Sequence, residues 1–290
     1  MTYAKPDYLI STAGLEDAIK NNSSRLRLFD VTITLVPSSL GYKAVSGIDD
    51  YQQEHIPGTA FMDIARDLSD TSTGLGFSLP SAEHLQAAYR AAGIDDDSQV
   101  VFYSSGHMMW ATRAWWMLNS CGHKNVAVLD GGLAKWKTEG RGLSTNVPTF
   151  SPGNVSINLD ANRWTDKAQT LAAVHDGEIC TINALSPGVY SGEAEMSYGR
   201  KGHIENSKNV FYDELLDQGC FRPAAELKAV FETKGVLAKP RVIAYCGGGI
   251  SATIDALALT LIGHENVAVY DGSMSEWVKD ESLPLIMGSE

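Results

Sequence analysis

Residues 245–255 read Tyr-Cys-Gly-Gly-Gly-Ile-Ser-Ala-Thr-Ile-Asp, directly behind the apolar run Val242-Ile243-Ala244. A lone cysteine followed by Gly247, Gly248 and Gly249 can sit in a loop whose backbone N–H groups turn inward, because glycine tolerates positive φ and carries no obstructing side chain. Ser251, a good N-cap, then opens a helix, so the positive end of its dipole reaches the same spot through Ile250, Ser251 and Ala252. Such a cradle holds an anion, here the thiolate of Cys246, and a stabilised thiolate is a nucleophile near neutral pH. The competing reading is a buried structural cysteine beside a glycine turn, the ordinary environment of a free cysteine. Three glycines and a helix start favour the nucleophile.

Other cysteine chemistries fit less well. A cysteine phosphatase needs an arginine six positions after its nucleophile to clamp phosphate, and Ala252 stands there. A Cys-His hydrolase could draw on His264, but that histidine lies in a Gly-His turn that recurs at His123, which points to a structural duty. Cys121, Cys180 and Cys220 have no glycine neighbours to form a cradle, and the four cysteines contain no Cys-x-x-Cys pair. A zinc site and a disulfide framework are therefore not expected. A formal net charge of −12 opposes attraction to phosphate backbones or anionic lipid, so no nucleic acid and no membrane partner is expected. No apolar stretch approaches the roughly 18 residues of a membrane span, and the N-terminus lacks the pattern of a secretory signal, so the expected compartment is the cytoplasm.

The elements that must position Cys246 occur twice. VVFYSSGHMMWA (100–111) and CGHKNVAVLDGGLAKW (121–136) are echoed by VIAYCGGGISAT (242–253) and IGHENVAVYDGSMSEW (262–277). In each copy short apolar runs (26–31, 99–103, 126–129; 178–182, 242–245, 267–270) alternate with helix-like segments (81–93, 112–121; 251–263). Buried strands alternating with helices predict an α/β fold of two homologous domains, each a mainly parallel sheet covered on both faces. Between them, residues 138–162 are rich in glycine, proline and small polar residues and read as an exposed linker. The expected division is 1–145, a linker at 146–160, and 161–290. Trp115, Trp116, Trp136 and Trp277 are expected in the cores.

With HIPGTAFMDIARDLSD (55–70), RAWWML (113–118), LDGGLAKW (129–136), RKGHI (200–204), YCGGGISA (245–252) and YDGSMSEW (270–277) in this order, the chain resembles the tandem-domain rhodanese-type sulfurtransferases, which use thiosulfate or 3-mercaptopyruvate. The resemblance implies that the second domain is catalytic and the first, with Ser104 in place of Cys246 and the triplet broken as Ser105-Gly106-His107, is not. It implies a double displacement that needs no metal or organic cofactor: Cys246 takes the outer sulfur of a small-molecule donor, releases sulfite or pyruvate, holds a persulfide, and passes the sulfur to a thiol, cyanide or thioredoxin-like acceptor. It also nominates His55, Arg113, Tyr190, Arg200 and His203, with Lys201, as groups around the donor. The loop is of the mercaptopyruvate variety, yet Leu185 and Val189 stand where those enzymes carry two carboxylate-gripping arginines, and Met274 where an aromatic residue is usual. Loss of both arginines leaves a second reading open, a non-enzymatic persulfide carrier or interaction protein.

Overall fold

The computed structural model describes residues 2–21, 24–38 and 41–289. In the first half, β1 (Leu9–Ile10), β2 (Leu26–Asp30), β3 (Thr59–Phe61), β4 (Gln99–Tyr103) and β5 (Val126–Leu129) form a parallel sheet ordered β1-β5-β4-β2-β3. In the second, β6 (Trp164–Thr165), β7 (Ile179–Asn183), β8 (Lys208–Asn209), β9 (Arg241–Tyr245) and β10 (Val267–Tyr270) form another, ordered β6-β10-β9-β7-β8. The two orders are the same path traced twice, so the sequence repeat is a structural repeat. The central strands read as unbroken apolar runs because both faces are covered: Val100 to Tyr103 and Val242 to Tyr245 are buried residue after residue.

Helices α1 (Thr12–Lys20), α2 (Ala82–Ala91), α3 (Met109–Ser120) and α4 (Gly132–Thr138) belong to the first half, and α5 (Lys167–Ala173), α6 (Ala224–Thr233), α7 (Ala252–Leu261) and α8 (Ser273–Trp277) to the second. Side-chain caps set several of their starts: Ser11 accepts from Gly14 N–H, Ser81 from His84 N–H, and Asp166 with Gln169 closes a capping box. Every residue of α7 is buried, as is α3 from Trp110 onward. Each of these helices covers its own sheet on one side and the other helix on the opposite side, where the hydroxyls of Thr112 and Thr253 meet at 2.8 Å. The four tryptophans expected in the cores are buried there.

The joint between the halves carries further bonds. Tyr3 donates its hydroxyl to Arg222 O and Ala4 N–H to Leu261 O, so the N-terminal segment crosses to the second sheet's side. The aspartate of each Asp-Gly pair reaches across the joint: Asp130 accepts from Phe221 N–H at 2.9 Å and Asp271 from Leu79 N–H at 2.8 Å. The segment expected as an exposed linker is mostly exposed, and its backbone is in addition fastened to the first domain. Gly153 N–H bonds to Arg90 O, Val155 N–H to Ile94 O and Asn158 N–H to Cys121 O, while Arg27 stacks on Phe150. Its backbone donors find carbonyls at the end of α2, just beyond it and at the end of α3, and the segment becomes a strap along the first domain whose polar side chains face water. No helix among the described residues is long and apolar enough to cross a membrane.

Candidate active site

Cys246 follows the last residue of β9, at the C-terminal edge of the second sheet, and is 2 % exposed. The open end of a parallel sheet is where strand-to-helix loops gather, and this loop runs straight into α7. Of the three glycines only Gly249 has positive φ (+73°), and a Cβ there would lie 2.6 Å from Asp271 O. Gly247 is needed for room instead: a Cβ would overlap the phenol of Tyr198 and lie 2.5 Å from its Cε1. Gly248 has only ordinary contacts.

The amides of the loop divide into two sets. Cys246 N–H and Gly249 N–H both donate to Ser273 Oγ at 3.1 Å, and that hydroxyl donates to Tyr270 O at 2.7 Å. Those two donors are turned away from the cysteine, contrary to the full ring of amides expected from sequence. The N–H groups of Gly247, Gly248, Ile250 and Ser251 donate to no protein acceptor among the described residues. A second correction concerns Ser251, which precedes α7 in an αR conformation and makes no side-chain cap bond. The α7 N-terminus is thus left uncapped beside the cysteine, with its positive end available to an anion. Ala252 begins the helix and is fully buried.

The loop is held by long-range bonds that sequence periodicity cannot show. Met274 N–H bonds to Cys246 O at 3.1 Å, and Ser275 gives both its N–H and its hydroxyl to Gly247 O. From the other domain, Arg113 donates to Gly249 O at 3.1 Å, to Phe77 O at 2.6 Å and to Asp271 Oδ1 at 2.7 Å, and lies over Trp164. Arg113, 1 % exposed, is therefore a clamp on the loop and not a donor-binding group.

The remaining nominated residues are also structural. His55 is stacked on Tyr51, with ring nitrogens on Tyr51 O and Asn146 O, inside the first domain. His203 repeats this in the second: its ring stacks on Tyr190 at 3.6 Å and bonds to Tyr190 O at 2.9 Å, while Tyr190 gives its hydroxyl to Ser207 O. Beside them Tyr103 and Tyr245, which end β4 and β9, accept the amides of Ile56 and Ile204. The two His-Ile signatures thus fasten each domain's own loops. Arg200 is spent on Asp280 O and Leu283 O, and Lys201 bonds to Ala194 O. His264 and His123 are half-buried or buried in turns, with burial lowering the pKa of both.

Two tyrosines and a buried carboxyl lie within electrostatic reach of Cys246. Burial, and then negative charge at Cys246, raises the pKa of Tyr198; burial, Asp213 and then Cys246 raise that of Tyr212, whose ring meets His107 of the cysteine-free loop at 5.0 Å. Asp255, in the first turn of α7, is fully buried with no partner for its carboxyl outside its own residue. Burial and then Cys246 hold its pKa well above the usual carboxylate range. Leu185 is buried, and Val189, Met274 and Tyr198 wall a small cavity together with Arg200 and Lys201. Cys121 and Cys180 are buried thiols with raised pKa, the former pushed up to about 12, and Cys220 is raised as well. Among the described residues no group of three or more His, Cys, Asp or Glu is placed to hold a metal ion. Tyr198, Tyr212, Ser273 and Asp255 were not singled out from the sequence. For Ser273 a signal existed: it replaces Gly132 where the two copies otherwise keep Asp-Gly.

A doubled parallel sheet with a cysteine loop at the edge of one copy defines the rhodanese architecture, and comparison agrees. The chain belongs to the family described as "Rhodanese-like domain", whose model matches residues 17–139 and 189–280. It is 32 % identical over 238 residues to a 3-mercaptopyruvate sulfurtransferase of Escherichia coli, spanning 81 % of this chain and 84 % of that one. It is 29 % identical over 304 residues to the sulfur carrier protein TtuD of Thermus thermophilus, across the full length of both. The crystal structure of SseA from Escherichia coli, described as a 3-mercaptopyruvate sulfotransferase of rhodanese fold, superposes with a TM-score of 0.81 at 29 % identity, covering 93 % of this chain and 99 % of that one.

Proposed function

We propose that the protein is a sulfurtransferase that carries a sulfane sulfur on Cys246 as a persulfide, from thiosulfate or 3-mercaptopyruvate to a thiol, cyanide or thioredoxin-like acceptor. The Cys246 thiolate attacks the outer sulfur of the donor; the new S–S bond forms as sulfite or pyruvate leaves with the bonding electrons. The observation that carries this reading is the set of four amides, from Gly247, Gly248, Ile250 and Ser251, that find no protein acceptor beside a cysteine at an uncapped helix start. Buried N–H groups are almost always paired, and a sulfur-centred anion supplies what these lack. A reducing cytoplasm would keep the cysteine free for this cycle.

Between the donors, loss of the two family arginines weakens the grip expected on 3-mercaptopyruvate. A carboxylate grip needs charge-assisted bonds, and neither Leu185 nor Val189 supplies one. The test is initial-rate release of sulfite and of pyruvate, with mass analysis for one added sulfur on the Cys246 peptide. Cys246→Ser should lower turnover by roughly a thousandfold or more while keeping the melting midpoint; normal turnover in that variant refutes the reading. Similarity to a sulfur carrier favours a second outcome, stoichiometric loading of Cys246 without turnover on small acceptors.

A further inference from the structure

Gly247 does not adopt the left-handed backbone that would explain a glycine, so its missing side chain must serve a neighbour. The neighbour is Tyr198, brought by the irregular segment between Gly192 and Gly202, whose phenol oxygen and Cζ occupy the space a Cβ would fill. Tyr198 is half-buried, and its hydroxyl makes no hydrogen bond to protein among the described residues. That hydroxyl is not sealed in the interior, so a group entering the site can accept its hydrogen bond. Gly247 is bonded directly to Cys246, and negative charge on that sulfur is felt by the phenol. Burial keeps the phenol protonated, so it remains a donor throughout the neutral range.

We propose that Tyr198 is a substrate-contacting residue of the Cys246 site, its O–H donating to the anionic sulfur, first the thiolate and then the outer sulfur of the persulfide. This rests on the proposed persulfide cycle and names the side chain that meets its sulfur. The proton stays on the phenol oxygen throughout; the only covalent events are formation of the Sγ–S bond and departure of the donor's remainder with its electron pair. With backbone amides and a neutral phenol as its donors, the site suits a single sulfur-centred charge.

The test compares wild type with Tyr198→Phe, which keeps the ring packed over Gly247 and removes the donor. Two pH titrations are read: the rate of Cys246 alkylation by iodoacetamide, and the near-ultraviolet absorbance of the protein loaded with sulfur from thiosulfate. Loss of one hydrogen bond to a charged sulfur should move both midpoints up by about one unit and lower loading at neutral pH about tenfold, with recovery at high pH and an unchanged melting midpoint. Should Tyr198→Phe fail to fold, Gly247→Ala displaces the phenol by its new methyl group and should give the same upward shift. Midpoints that coincide with wild type overturn the role of Tyr198. If wild type takes up no sulfur, the persulfide reading falls, yet the alkylation titration still decides whether Tyr198 donates to the thiolate.

Discussion

Ser273 shows how one atom separates the two copies. In the first domain Gly132 adopts φ +55°, and a Cβ there would lie 2.6 Å from Ser104 O. In the second, Ser273 adopts nearly the same backbone (φ +47°), and its hydroxyl collects the Cys246 and Gly249 amides. A non-glycine residue there carries strain of order 1–3 kcal/mol, so the two amide bonds must offset it. Ser273→Ala keeps the strain and loses both bonds. It should destabilise by about 2–4 kcal/mol in urea unfolding and slow sulfur loading, whereas Ser273→Gly should be less destabilised yet equally slow. An alanine variant as stable as wild type would remove this role. A second exchange between the copies sets a pH dependence: Asp30 and Asn183 end β2 and β7, and each accepts the N–H two residues on. Burial pushes the Asp30 carboxyl up to about 6 against Thr32's opposing hydrogen bonds. A carboxyl raised in the folded state contributes stability that is complete below its unfolded value near 4 and lost as pH rises through 6. Wild type should therefore lose on the order of 2–3 kcal/mol relative to Asp30→Asn between about pH 4 and 7; parallel stability curves would sink the assignment.

At the scale of elements, the clamp from α3 onto the cysteine loop decides how rigid the site is. Arg113 spreads three acceptors across Gly249 O, Phe77 O and Asp271, a fan that the planar guanidinium can fill and an ammonium cannot. Arg113→Met should cost about 3–5 kcal/mol, because a buried charge partner is removed, and Arg113→Lys should recover only part of that in thermal melts. Either change should alter Cys246 alkylation from a distance, since Gly249 O loses its anchor; an unchanged rate would argue that the loop stands without the first domain. The six longer strands β2, β4, β5, β7, β9 and β10 and helices α2, α3 and α7 were legible in the sequence to within a few residues, since apolar runs and helical spacing report burial locally, whereas the short strands β1, β3, β6 and β8 were not. The repeat even exposed the shared topology. The site was legible only at Cys246 and its glycines. Ser273 and Arg113 act through bonds between residues 24 to 158 positions apart and Tyr198 packs on Gly247, relations that no local pattern encodes, while histidines that looked chemical were committed to tyrosine stacks.

Considered as a whole molecule, the two halves are homologous yet incomplete apart. Helix α7 has no exposed residue, because the face turned from its own sheet is covered by α3 of the first domain. Separating the halves would bare that face, break the Thr112–Thr253 contact and leave Arg113 and Asp271 unpaired in opposite fragments. The paired aspartates, Asp130 with Phe221 N–H and Asp271 with Leu79 N–H, would lose their donors as well. Interfaces between independent domains are more polar than this and tolerate separate unfolding. The chain should therefore unfold in one calorimetric transition with matching calorimetric and van't Hoff enthalpies. A fragment of residues 161–290 alone should expose apolar surface and bind a hydrophobic dye, and should recover its native spectrum when mixed with residues 1–160. Two resolved transitions, or an isolated second half with native near-ultraviolet dichroism and full Cys246 loading, would show that the first domain is dispensable to the site.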